Sequence, residues 1–162
     1  MMKIAVLSDI HDNIWKLAVV LGRLPDADAL ICCGDLCAPF IVPQMAEEFR
    51  RPIHIVFGNN DGDRFRITQQ AQRFQHVTIH GELADLMLGG KRIAVHHFDD
   101  VGRLIAASDV YDVVCCGHNH VFEVERVGNT LLINPGEIMG RFGTSTYVVY
   151  DTDVDEARRY EV

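Results

Sequence analysis

Hydrophobic and polar positions along this chain fall into short apolar runs, each of which breaks off at a polar turn. Residues 3 to 8 are nearly continuously apolar, the pattern of a strand covered on both faces. After Asn13, placed to cap a helix, Ile14, Leu17, Ala18, Leu21 and Leu24 recur at helical spacing until Pro25 stops them. Residues 28 to 33 repeat the strand pattern and run into Gly34-Asp35, and residues 41 to 50 read as a second helix. A third apolar run, residues 53 to 57, closes on Gly58-Asn59-Asn60-Asp61, and a more polar helix follows from Arg64 to Phe74.

The second half changes character. Residues 77 to 79, 82 to 88 and 92 to 95 read as strands, the last two joined into a hairpin by Gly89-Gly90 and leading to His96-His97. A short helix over 101 to 107 precedes a strand over 112 to 116 that ends at Gly117-His118-Asn119-His120. Residues 121 to 127 and 131 to 133 form another hairpin, ending at Asn134-Pro135-Gly136, and residues 146 to 150 and 157 to 160 make a closing antiparallel pair. Alternating β and α elements followed by mostly β elements predict an α/β fold of two packed mixed sheets flanked by helices.

Composition narrows the picture. At 162 residues the chain fits one domain over 1–162 with a sizeable core, and no linker or repeat divides it. A net charge of -8 argues against a surface built to neutralise nucleic-acid phosphates, so nonspecific nucleic-acid binding is not expected. No leader pattern and no apolar run of about 18 residues is visible, which predicts a cytoplasmic protein that does not enter membranes. The cysteines, Cys32, Cys33, Cys37, Cys115 and Cys116, include two adjacent pairs on strand-like runs whose side chains face opposite ways. They are read as small buried hydrophobes in a reducing compartment, not as disulfides or a thiolate zinc site.

Candidate chemistry gathers at the strand ends. Asp9 and His11 stand two apart at the end of the first run, where an extended backbone would project both to one side. Asp35, Asn59, His96, and His118 with His120 crown other runs. Each alone has an ordinary explanation: a helix cap, a turn, a satisfied core histidine. Together, past the C-terminal ends of strands, they sit where α/β sheets hold ligands.

In these segments, Asp9-Ile10-His11, Gly34-Asp35, Gly58-Asn59-Asn60-Asp61, His96 and Gly117-His118-Asn119-His120, the chain resembles the calcineurin-like metallophosphoesterases, specifically small bacterial and archaeal phosphodiesterases without a cap domain. The segments occur in the family's order and span nearly the whole chain. The resemblance implies a metallophosphoesterase-like αββα sandwich binding two divalent transition-metal ions, with Mn favoured over Fe, Zn, Ni or Co. Asp9, His11 and His120 would hold one ion, Asn59, His96 and His118 the other, and Asp35 would bridge them. A metal-bound hydroxide would then attack a small phosphate ester in line at phosphorus. Oxygen and imidazole donors without thiolate suit such ions. Alternative readings are an interaction scaffold on the same fold, as in the retromer subunit, and a metal-stabilised nucleotide-binding regulator. Assembly into a homo-oligomer is compatible with either.

The departures from the family lie on the substrate side. Asn60 stands where His or Cys is common, and an amide donates hydrogen bonds but cannot serve as a general acid. His96-His97-Phe98 replaces His-Gly-His, Asp12 replaces a Gly, and Glu137 replaces the Ser common after Asn-Pro-Gly. Asn60 and His97 are therefore the catalytic candidates. His97 is read as a substitute acid or, preferably, as an outer or surface residue. Arg141 follows closely enough to reach the mouth of the site, as a phosphate ligand or an ordinary surface arginine. Trp15 is assigned to helix packing or partial exposure, and His54, His76 and His80 to structure or surface. A weak general acid predicts faster hydrolysis of an aryl phosphodiester than of an alkyl phosphomonoester.

Overall fold

The computed structural model describes residues 1–162. In chain order the elements are β1 (Lys3–Leu7), α1 (Ile14–Gly22), β2 (Ala29–Cys32), α2 (Ile41–Glu48), β3 (Ile53–Ile55), α3 (Arg64–Ala71), β4 (Val77–Ile79), β5 (Leu83–Leu88), β6 (Lys91–His96), α4 (Asp99–Ala106), β7 (Val113–Cys115), β8 (Phe122–Val127), β9 (Thr130–Pro135), β10 (Thr146–Asp151) and β11 (Glu156–Glu161). They form two mixed sheets, ordered β11-β10-β1-β2-β3-β4 and β5-β6-β7-β9-β8. Strands β1 to β4 run parallel in the first sheet, and β6, β7 and β9 run parallel in the second. Antiparallel strands occupy the margins.

The pattern of burial explains the layering. Ala5, Leu7, Leu30, Cys32, Ile53 and Ile55 face α1, α2 and α3, packing on Leu17, Val20, Met45 and Ile67. Their neighbours Ile4, Val6, Ile31 and Cys33 face the other way and meet Ile93, Val95, Cys115 and Ile133 of the second sheet. On the far side of that sheet, Ala94, Val114 and Leu132 pack with Ala106 of α4. The result is a helix–sheet–sheet–helix sandwich, as the periodicity predicts. None of the helices is long and apolar enough to cross a membrane.

Helix ends differ modestly from the sequence reading. In α1 the N-cap is Asn13, whose side chain accepts the Lys16 N–H, while Arg23 already closes the C-terminus ahead of Pro25. Helix α3 stops at Ala71, short of Phe74. Helix α4 starts earlier than expected, at Asp99, where two acidic residues complement the positive end of the helix dipole.

Candidate metal centre

The parallel strands of both sheets deliver their C-terminal turns to one place. Asp9 and His11 follow β1, Asp35 follows β2, Asn59 and Asn60 follow β3, His97 follows β6, and His118 and His120 follow β7. Asp9 (φ 54°), His11 (43°), Asp35 (54°), His118 (71°) and His120 (64°) all adopt left-handed backbone without being glycine. Such residues cost about 1 kcal/mol or more each and collect at functional sites. Backbone bonds hold them: the Asp9 and His11 N–H groups donate to the carbonyls of Gly34 and Asp35 at 3.1 and 3.0 Å. Asp9 and His11 therefore converge through a left-handed turn, not through the extended alternation expected from their spacing. Two glycines permit the close approach. A Cβ on Gly58 would lie 2.2 Å from Asp35 Oδ1, and one on Gly117 would lie 1.9 Å from Ser8 Oγ.

In the first cluster, Asp9 is fully buried. Its Oδ2 accepts the Ser8 hydroxyl at 2.6 Å and the His118 N–H at 3.0 Å, which turns Oδ1 inward. That oxygen lies 3.2 Å from His120 Nε2 and 3.6 Å from His11 Nε2. Asp9 Oδ1 and His11 Nε2 are buried without a hydrogen-bond partner. Asp9 above all, with Cys37 beside the other ring nitrogen, pushes His11 up to about 10 despite burial. The cluster thus favours positive charge at this point. His120 Nδ1 contacts Glu137 Oε2 at 2.6 Å, so its Nε2 faces Asp9. A buried carboxylate behind a histidine is the arrangement that orients a metal-ligating imidazole and raises its basicity.

The second cluster is built around Asp35, Asn59, His97 and His118. His97 Nδ1 donates to the Cys33 carbonyl at 2.8 Å, leaving Nε2 3.0 Å from Asn59 Oδ1 and 3.4 Å from Asp35 Oδ2. His118 Nδ1 approaches Asn59 Oδ1 at 2.9 Å. Asp35 Oδ2 also lies 3.5 Å from His11 Nε2, so one carboxylate oxygen stands between the clusters. Burial opposes charge on Asp35, yet hydrogen bonds from His97 and Asn60 hold its carboxyl well below the ordinary value.

Asp9, His11, Asp35, Asn59, His118 and His120 are brought together. His96 is not, and its assignment as a ligand requires correction. Ile93 and Val95 face the first sheet, whereas Ala94 faces α4. Alternation along the strand then turns His97 into the site and His96 away from it. His97 is 1% exposed, which also removes the surface reading. His96 instead packs near Phe98 and accepts that residue's N–H at 3.2 Å. Asn60 does not point at an open substrate position: its backbone N–H and Nδ2 bind the two oxygens of Asp35 at 2.8 and 2.7 Å.

Three residues to which the sequence assigns no role support the site. Ser8 turns Asp9, Glu137 orients His120, and buried Asp61 accepts the N–H groups of Gly58, Asp35 and Cys37 at 2.7, 3.0 and 2.8 Å, tying the turns after β2 and β3 together. The available signals were Asp61, the acidic residue that closes the polar turn after β3, and Glu137, an acidic residue among small and apolar ones. Away from the site, His54 Nδ1 meets His80 Nε2 at 3.0 Å, and Trp15 is 76% exposed.

The donor set is imidazole, carboxylate and amide oxygen, with two unpartnered buried atoms, and it fits divalent transition-metal ions. Residues 2–155 match the family model for the calcineurin-like phosphoesterase superfamily domain. The chain is 29% identical over 162 residues to phosphodiesterase MJ0936 of Methanocaldococcus jannaschii, covering 97% of both proteins. Its fold superposes on a solved archaeal phosphodiesterase with a TM-score of 0.93 at 28% identity, over 99% of this chain and 100% of that one. Similarity at the level of fold extends to Yfce, a phosphoesterase from E. coli (TM-score 0.66, 19% identity, 98% of each chain). It also reaches Vps29 of Entamoeba histolytica solved with zinc (TM-score 0.70, 15% identity, 99% of each chain).

Proposed function

Because the chain belongs to the calcineurin-like phosphoesterase superfamily and is a metal-dependent phosphoesterase, we propose that it is a phosphodiesterase with a dinuclear centre, hydrolysing by in-line attack of water at phosphorus. The observation that carries this reading is Asp35 Oδ2, placed 3.5 Å from His11 Nε2 and 3.4 Å from His97 Nε2 between two ligand clusters. Asp9, His11 and His120 would hold one cation, and Asn59, His97 and His118 the other, with Asp35 shared. When bound, two divalent cations, Mn²⁺ foremost, acidify water and draw charge from phosphate oxygens.

The chain's own residues prepare that chemistry. Glu137 fixes the tautomer of His120, and the Cys33 carbonyl fixes that of His97, so both present Nε2 inward. Asn60 orients Asp35 through both of its oxygens and, being an amide, cannot protonate a departing alkoxide. Leaving groups that are stable as anions should therefore depart fastest. The phosphodiesterase to which the chain is 29% identical supports the diester assignment.

Metal content of the purified protein and Mn²⁺-dependent hydrolysis test this together. Bis(p-nitrophenyl) phosphate is expected to turn over at least about tenfold faster than an alkyl phosphomonoester, and Asp35→Ala should abolish both metal retention and turnover. Faster monoester hydrolysis would defeat the diester assignment. Protein that neither retains nor takes up metal would favour a scaffold on this fold.

A further inference from the structure

Two phenylalanines at the mouth of the site have no task in the chemistry above. Phe142 is 69% exposed, yet its ring stands against His120 with centroids 5.0 Å apart and planes at 88°. Phe98 lies against His118 at 4.6 Å. One aromatic ring thus flanks each ligand cluster. A single exposed phenylalanine needs no explanation; what sets Phe142 apart is how it is held.

Glu137, 1% exposed, is the holder. Its Oε2 contacts His120, and its Oε1 accepts the N–H groups of Phe142 and Gly143 at 2.7 and 2.8 Å. The same buried carboxylate therefore fixes the ligand histidine and the loop tip beside it. The guanidinium of Arg141 lies 5.1 Å from the centre of the Phe142 ring, adding positive charge at the rim. Phe142 thus stands directly against His120, and an aromatic arm on a phosphate held there could stack on it at the roughly 4.5–7 Å between centroids that such pairs adopt.

Building on the phosphodiesterase reading, we propose that Phe142, with Arg141 over its ring, is a stacking platform that selects phosphodiesters carrying an aromatic ester arm, a nucleobase or aryl group, over those with alkyl arms alone. The platform sets specificity and takes no part in bond breaking. Its energy appears as affinity for the arm.

Titration calorimetry of the full chain reconstituted with Mn²⁺, using phenylphosphonate and methylphosphonate as probes, isolates the arm because the two share one anionic head. Wild-type protein is expected to bind the phenyl compound about 5- to 10-fold more tightly. In Phe142→Ala that preference should disappear with methylphosphonate affinity unchanged within about twofold, and Phe142→Trp should retain it. Equal affinities in the wild type, no binding of either probe, or a preference that survives in Phe142→Ala would overturn the platform. Failure of the underlying reading looks different: the wild type would release no p-nitrophenol from bis(p-nitrophenyl) phosphate with Mn²⁺, whatever the ratio of phosphonate affinities.

Discussion

His11 in the candidate metal centre and His54 on β3 start from the same imidazole, and each buries a ring Nε2 that has no hydrogen-bond partner. Around His11, Asp9 and Asp35 stand within 3.6 and 3.5 Å, and the ring is pushed up to about 10. Around His54, burial comes first and His80 at 3.0 Å second, and the ring is pulled down to about 4. One pocket invites positive charge and the other expels it. An unpartnered ring nitrogen therefore marks a cation site only where carboxylates converge on it. The two regions also differ in backbone: the candidate centre is assembled from left-handed turns, whereas His54 lies within a regular strand.

The contrast is most exposed at the adjacent pair His96 and His97. Replacing His97 by Ala should lower kcat/KM for bis(p-nitrophenyl) phosphate by on the order of 100-fold or more, while His96→Ala should stay within about threefold. The reverse order of losses would restore His96 as the ligand. Next comes Glu137→Gln, which keeps an oxygen for the loop but removes the charge behind His120. Titration with Mn²⁺ should show affinity weakened by about 10- to 100-fold. Unchanged metal affinity would mean that Glu137 serves only the loop.

The smallest effect is expected at His54. Because the folded protein holds this ring below its ordinary value of 6.5, the unfolded chain takes up the proton first as pH drops. Stability should be full above about pH 6.5 and fall towards pH 4, by about 1–2 kcal/mol once solvent screening is allowed for. Urea unfolding at pH 7 and pH 5 measures this, and His54→Leu should flatten that part of the slope. An equal slope in the variant would place the pH sensitivity elsewhere.

Much of this was legible along the chain, and the adjacent pair His96 and His97 shows where legibility ends. Strands β1 and β2 announced themselves as unbroken apolar runs because they are covered on both faces. The same double coverage hid the phase of β6, where Ile93, Ala94 and Val95 are all buried and nothing tells odd from even positions. The phase could have been taken from its partner. Strand β5 alternates, with Ala84 and Leu86 buried and Asp85 and Met87 exposed, and Ala84 pairs with Val95 across the hairpin. Carrying that face two residues on reaches His97. The left-handed turns at Asp9 and His11 gave no such clue, since their conformation is imposed by backbone bonds to the turn after β2, distant in sequence.

Asp9, His11, Asp35 and Asn59 come from turns of the first sheet, while His97, His118 and His120 come from the second. The two carboxylates among these residues thus belong to one half of the sandwich and most of the imidazoles to the other. A small displacement of one half against the other would therefore separate those carboxylates from the imidazoles. Turnover then serves as a strain gauge for the seam, and mild denaturant should extinguish catalysis while circular dichroism still reports intact secondary structure.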